Sequence, residues 1–320
     1  MSLFNIEPLT GPQGAGFPLL LTPARAGIQA GELVRQPRAL IDLLSRHGAL
    51  VFRDWSVDSD RDFDDFVGAF KWENFAYRES LSNAVRRNRT SRVFTANEAP
   101  ADIEIFLHHE MAQTPRFPSH LFFFCEKPAE IGGATPLCRS DLLLEKLQDK
   151  LPAFIARCRE RGGRYTLTMP GASDQSSGQG RSWRETLNVT SPHEAEQRLA
   201  ALDYQWQWLP EECLQVTSPT LSLVRATPNG EEVFFNQLIA AFSGWQDQRN
   251  DRTRSVTYGD GSDFDDSELK AVVEIAYASV YDHAWQAGDI ALIDNHRVMH
   301  GRRPFVGQRS VLASLCQGFA

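Results

Sequence analysis

No apolar run in this sequence comes near the roughly 20 residues that a membrane-spanning helix needs, and the N-terminus has no charged segment followed by a long apolar one. A membrane or secreted protein is therefore not expected, and the chain is assigned to the cytoplasm. Cysteine is scarce: Cys125, Cys138, Cys158, Cys213 and Cys316 are odd in number and form no CxxC pair. Reduced thiols in a cytosolic protein are the simplest account. Positive charge is in deficit, with 33 Lys+Arg against 41 Asp+Glu and a net charge of -8, which argues against nucleic acid as a partner because phosphate binding needs a basic face. Internal repeats and low-complexity blocks are also missing. What is present, 320 residues with 42% hydrophobic and 23% charged, suffices for the core of one large soluble domain spanning 1–320. The run Arg86-Arg87-Asn88-Arg89 stands out in an acidic chain. It reads first as a solvated loop, and alternatively as a grip on an acidic substrate or an acidic carrier domain.

Local patterns give a mixed, β-rich chain. Residues up to about 35, rich in Pro and Gly, read as a loop-dominated lead-in. Helical spacing of Leu40, Ile41 and Leu44 predicts a helix over 37–47, ended by Gly48, with a buried strand over 49–53. Phe63, Phe66, Val67 and Phe70 predict an amphipathic helix over 60–70. The polar, aperiodic text of 72–92 reads as a long loop of the kind that lines an active site. Short strands follow over 93–95 and 119–126, with His120 a satisfied buried imidazole. One helix is expected over 140–162, opening an insertion that runs to about 230. Residues 171–180, rich in Ser, Gly and Gln, read as a mobile lid or a plain surface loop. Ser191 with Glu194 three residues on predicts an N-cap for a helix over 192–202. A last helix is expected over 266–279, and a closing strand over 309–315.

The chemistry sits in Leu107-His108-His109-Glu110-Met111. In an extended strand residues two apart face the same side, so His108 and Glu110 can close on one point while His109 turns away. An isolated His-x-Glu is common as a solvated or hydrogen-bonded pair. A third imidazole from far along the chain would complete the two-His-one-carboxylate set that leaves positions open on Fe(II). His300 is the candidate, with His296 a nearby rival that the His300-Gly301-Arg302 context disfavours.

The surrounding text supplies more. After the pincer come Leu121 to Cys125, Pro128 and Gly132-Gly133-Ala134-Thr135-Pro136; around the late His come Trp285-Gln286-Ala287-Gly288-Asp289, Asp294-Asn295, His300-Gly301-Arg302 and Arg309. In this order the chain resembles the taurine-dioxygenase and clavaminate-synthase-like Fe(II)/2-oxoglutarate oxygenases, from about Ala49 onward. The resemblance implies a β-rich α+β fold with a double-stranded β-helix (jelly roll) core, flanking helices and the helical insertion. It implies Fe(II) on His108, Glu110 and His300, with 2-oxoglutarate and O2 as cosubstrates. Arg309 matches the Arg that grips the far carboxylate of 2-oxoglutarate, a role suited to a planar guanidinium, and Thr135 matches the Thr that supports it; Arg302 and Arg303 are rival cations. The element Phe234-Phe235-Asn236-Gln237 resembles one that faces the pocket. The run from Glu98 to Met111 most resembles the branch that hydroxylates amino acids, free or carrier-tethered, including syringomycin-type aspartyl hydroxylases. Arg302, Asn236 and Glu98 are accordingly candidate substrate contacts. A small amino-acid-derived substrate of secondary metabolism is expected. Glu110, where related halogenases carry a small residue, argues for hydroxylation or desaturation over halogenation. A desaturase or cyclase on the same scaffold, a zinc hydrolase using the same three residues, and a non-catalytic jelly-roll metal binder are the alternatives.

Overall fold

In the computed structural model, which describes residues 2–33, 37–76, 81–82, 84–174, 180–245 and 249–317, two sheets face each other. The larger runs Phe4–Gly11, Gly14–Pro23, Ala49–Phe52, Ile290–Asp294, His120–Lys127, Ser310–Gln317 and Glu73–Asn74, with Phe94–Thr95 also pairing to Ser310–Gln317. Gly14–Pro23 lies parallel to Ala49–Phe52, and the other pairings are antiparallel. The smaller sheet runs Tyr281–His283, Thr135–Arg139, Val298–Arg302, Ile105–His108.

Strand alternation decides what lies on each side of the larger sheet. Leu121, Phe123 and Cys125 turn inward with Ile293, Val311, Ala313 and Leu315 to meet Leu137 and Val298 of the smaller sheet. Phe122 and Phe124 turn outward with Leu292 and Leu312 onto Leu40, Leu44, Phe63, Phe66 and Val67 of the helices Pro37–His47 and Asp60–Gly68. Each such Leu or Phe, fully buried, contributes about 1.5–3 kcal/mol of transfer free energy. The outer face of the smaller sheet, through Leu107, Cys138 and Met299, packs on Leu143, Leu147, Phe154 and Val272 of three further helices. The candidate ligands His108 and His300 thus sit on a sheet packed on both faces.

Several expectations need correction. The lead-in is a hairpin, Phe4–Gly11 with Gly14–Pro23. Gly14 takes positive φ beside its turn and Gly16 at the register shift inside the second strand, and the apolar 17–21 run that follows is buried, so glycine marked a turn and an irregularity between strands. The single helix over 140–162 is two, Ser140–Lys150 and Pro152–Arg161, because Pro152 cannot continue the first and opens the second. The helix Pro192–Ala201 does start at Ser191, whose hydroxyl accepts from the Glu194 amide. Its insertion forms a four-stranded sheet, Gln205–Trp208, Leu214–Thr217, Gly163–Met169 and Val256–Tyr258, the last strand coming from beyond residue 230. Of the expected lid, 175–179 lie outside the described residues. Among the described residues no helix is long and apolar enough to cross a membrane.

Candidate metal centre and cosubstrate cleft

Register brings the two imidazoles together. His300 on Val298–Arg302 is the cross-strand partner of His108 on Ile105–His108, and their ring centroids are 4.4 Å apart. The strand ends at His108, so Glu110 stands in the turn that follows rather than two places along an extended strand. What aims it is Asn295. The Asn295 Oδ1 accepts from the Glu110 amide at 2.8 Å, and its Nδ2 donates to the Glu110 and Pro118 carbonyls at 3.1 and 2.7 Å. The neighbouring His109, fully buried, points away and its Nδ1 bonds the Asn295 carbonyl at 2.6 Å. Burial pushes that imidazole down to about 3, so Nδ1 donates and His109 is a neutral strut of the same clamp.

The potential ligand atoms of His108, Glu110 and His300 lie within 4.8 Å of one another. The His108 Nδ1–H donates to the Phe106 carbonyl at 2.8 Å, which leaves Nε2 as the free base. Burial, then the His300 charge, push His108 down to about 4. The His300 Nδ1 is buried without a hydrogen-bond partner, and its Nε2 is 3.6 Å from Glu110 Oε2. Burial disfavours the Glu110 carboxylate, but Arg86 and the two imidazoles outweigh it and hold the carboxyl well below the usual range. Two imidazoles and an ionised carboxylate, converging where their side chains are buried, are a donor set for a divalent transition metal.

These residues line a cleft, open to solvent, together with Thr135, Arg302 and Arg309. Burial pushes Arg309 down to about 10; its Nε donates to the Gly133 carbonyl at 3.1 Å, and among the described residues it has no carboxylate partner. Gly133, at φ +71°, makes room for it, since a Cβ there would stand 3.1 Å from the Arg309 Cδ. The Thr135 hydroxyl accepts from Trp285 Nε1 at 2.9 Å, so its own proton is free to donate into the cleft. Asp289 of the same Trp-Gln-Ala-Gly-Asp segment is bound by Arg53 at 2.8 and 2.7 Å.

The other candidates are placed differently. Arg302 reaches the cleft wall but spends its Nη atoms on the carbonyls of Asn97, Ala99, Pro100 and Ile103, so it pins a loop. Arg303 pairs with Glu104 and Asp282. Asn236 does not line the cleft: its side chain donates to the Leu223 carbonyl and accepts from the Leu238 amide, and its neighbour Gln237 is the residue that does. Glu98 also lies outside the lining, paired with Arg87 at 2.9 Å. His296 packs against Phe117 and Phe235, away from the three converging residues. Of the Arg86 to Arg89 run, 87–89 are exposed and form the expected solvated loop, with Arg87 paired to Glu98, while Arg86 turns inward. Arg86 is buried on Glu110, and Arg89 pairs with Asp60 and Glu126. Asn295 was assigned no role from sequence, and Arg86 was read only within a run that could grip an acidic substrate or carrier, not as a partner of Glu110.

The family model described as taurine catabolism dioxygenase TauD, TfdA family matches residues 5–315. The chain belongs to the TauD/TfdA family. A clavaminate synthase-like protein of Arabidopsis thaliana is 37% identical over 311 residues, 94% of each chain. The dapdiamide synthesis protein DdaC of Enterobacter agglomerans is 27% identical over 329 residues, 98% of this chain and 94% of that one. Among solved structures, PvcB of Pseudomonas aeruginosa superposes with a TM-score of 0.61 at 17% identity, over 99% of this chain and 92% of that chain, a likeness of fold. As a TauD/TfdA protein the chain is an oxygenase, and its cofactor set is Fe(II) with 2-oxoglutarate and O2.

Proposed function

We propose that this TauD/TfdA oxygenase hydroxylates an unactivated C–H bond of a small amino-acid-derived molecule, free or carrier-tethered, with Fe(II) on His108, Glu110 and His300. The observation that carries the reading is the convergence of those three side chains, ligand atoms within 4.8 Å, on the wall of a cleft that Arg309 also lines with, among the described residues, no carboxylate partner. Two His and one carboxylate are the set that leaves coordination positions for a cosubstrate and O2. When bound, the iron couples decarboxylation of 2-oxoglutarate, to succinate and CO2, with oxygen insertion.

The chain's own residues do the rest. Phe106 fixes the His108 tautomer, and Asn295 aims Glu110. Arg309 grips the far carboxylate of 2-oxoglutarate and Thr135 donates its hydroxyl proton to the same group. Phe123 and Val311, also on the cleft wall, keep water from the reacting end. The full carboxylate at Glu110 supports hydroxylation over halogenation, and the 27% identity to a dapdiamide synthesis protein supports a substrate in secondary metabolism. We further read residues 1–320 as one cytoplasmic domain, and its facing sheets as the double-stranded β-helix. The test is aerobic incubation with Fe(II), 2-oxoglutarate and a panel of free and carrier-bound amino acids. Substrate-stimulated succinate with a product heavier by one oxygen atom is expected; no 2-oxoglutarate turnover with any member or without substrate would overturn it.

A further inference from the structure

The insertion builds a second, smaller space beside the cleft, of about 30 Å³, room for about two water-sized groups. Leu167 and Met169 of Gly163–Met169, Val216 of Leu214–Thr217, and Leu187 and Leu199 of the helices Trp183–Leu187 and Pro192–Ala201 line it. Gln113 and Trp245 line both this pocket and the cleft that His108, Glu110 and His300 line, so the two spaces meet at those side chains. A hydrogen bond joins them as well: the hydroxyl of Tyr165, on the pocket side, accepts the amide N–H of Gln237, on the cleft side, at 3.0 Å. The pocket is not a lapse in packing. Protein interiors hold few voids larger than a water molecule, and buried polar atoms nearly always find a hydrogen-bond partner. Here Gln113 Oε1 and Thr186 Oγ1, on residues only 8% and 1% exposed, have none among the described residues, and both residues line the pocket. Each oxygen can accept an N–H or O–H. Among the described residues no charged side chain lines the pocket. An ionised group would shed its hydration there with no counter-charge, and an alkyl group would leave the two oxygens unpaired.

We propose that this pocket is the specificity subsite of the cleft: it takes an uncharged side chain of the amino-acid-derived substrate that ends in a hydrogen-bond donor, a hydroxyl or an amide, and that meets Thr186 there. The inference rests on the oxygenase reading above and narrows its substrate class. Carboxylate and ammonium side chains are shut out, whether the amino acid is free or carrier-tethered.

The test compares side chains of nearly one shape: threonine against valine, and asparagine against leucine, aspartate and 2,4-diaminobutyrate. Each is used as the free acid and as its α-carboxamide, which mimics a carboxyl-linked form. Affinities are read as perturbations of the visible charge-transfer band of the anaerobic Fe(II)–2-oxoglutarate complex, and by calorimetry with Mn(II), a redox-silent stand-in. The better of threonine and asparagine is expected to bind ~10-fold more tightly than its apolar counterpart and than either charged amino acid, the scale set by pairing a buried unpaired acceptor. Thr186→Val keeps the side-chain shape and breaks no hydrogen bond of that hydroxyl. It should bring the preference over the apolar counterpart to within ~2-fold. No binding by any member, no preference for the donor-bearing side chain, equal binding of a charged one, or a preference that survives Thr186→Val overturns the inference. A wild type that forms no band fails the iron reading itself, and this inference with it.

Discussion

Replacing Asn295 by Leu, nearly the same volume, removes the clamp without opening a cavity. Three buried backbone groups then lose their partner: the Glu110 amide, the Glu110 carbonyl and the Pro118 carbonyl, bonded at 2.8, 3.1 and 2.7 Å to a side chain that is fully buried. A buried polar group left unpaired costs about 1–3 kcal/mol. The low end for three groups is ~3 kcal/mol, and the high end exceeds what single substitutions ordinarily cost, so a loss of about 3–5 kcal/mol is expected. The same change frees the turn that carries Glu110. Metal affinity should therefore fall along with stability, by ~10–100-fold, as when a partner that orients a ligand is removed. Urea unfolding of the metal-free protein gives the first number and Mn(II) calorimetry the second. Asn295→Asp, which keeps the acceptor for the Glu110 amide but loses both donors, should be destabilised as well and more so at high pH, where the new carboxyl is charged. A loss below about 1 kcal/mol in Asn295→Leu, with unchanged Mn(II) affinity, would refute the reasoning, because the bonds would then have been replaced at no cost.

Other perturbations probe different parts of the account. Arg309→Lys keeps the charge but loses the planar fork, so the apparent Kd for 2-oxoglutarate, read from the charge-transfer band, should rise ~10–50-fold; an unchanged Kd would remove Arg309 from the cosubstrate site. A Cβ at residue 301 would stand 2.4 Å from the Ile105 carbonyl, so Gly301→Ala should cost about 1–3 kcal/mol in urea and, by prising apart the strands that pair His300 with His108, weaken Mn(II) binding. Burial pushes the Asp294 carboxyl up to about 6 from its usual 3.8, against the pull of the His296 amide and Arg297. The folded protein thus binds that proton more tightly than the unfolded chain, and the stability it confers is full below 3.8 and lost as pH rises through about 6. Asp294→Asn should accordingly be more stable than wild type by about 1–3 kcal/mol at pH 8, with the gap closing near pH 4; a gap that does not vary with pH would count against a raised carboxyl.

How far the sequence carried the account differs by element. His108, Glu110, His300, Thr135 and Arg309 were legible because each is tied to short text with a physical reason, and the fold brings all five to one cleft. The helices Pro37–His47 and Asp60–Gly68 were legible from apolar spacing. The N-terminal hairpin was not, since Gly-rich text reads alike whether it ends a strand or begins a loop. Asn236 and Glu98 were misassigned for another reason. A polar residue beside an apolar run can face a pocket or cap a neighbour, and only the fold shows that Asn236 caps the Leu238 turn and that Glu98 pairs with Arg87. Asn295 and Arg86 act across 185 and 24 residues of chain respectively. Contacts of that kind leave no periodicity or spacing in one sequence.

The central claim is that His108, Glu110 and His300 hold an iron ion on which 2-oxoglutarate, gripped by Arg309, chelates. Anaerobic addition of Fe(II) and then 2-oxoglutarate tests it most directly. Wild type should develop the weak visible charge-transfer band, Glu110→Ala should not, and Arg309→Ala should need ~100-fold more cosubstrate to reach it. A wild type that binds metal but gives no band at any 2-oxoglutarate concentration, or a band that persists unchanged in Glu110→Ala, would contradict the account.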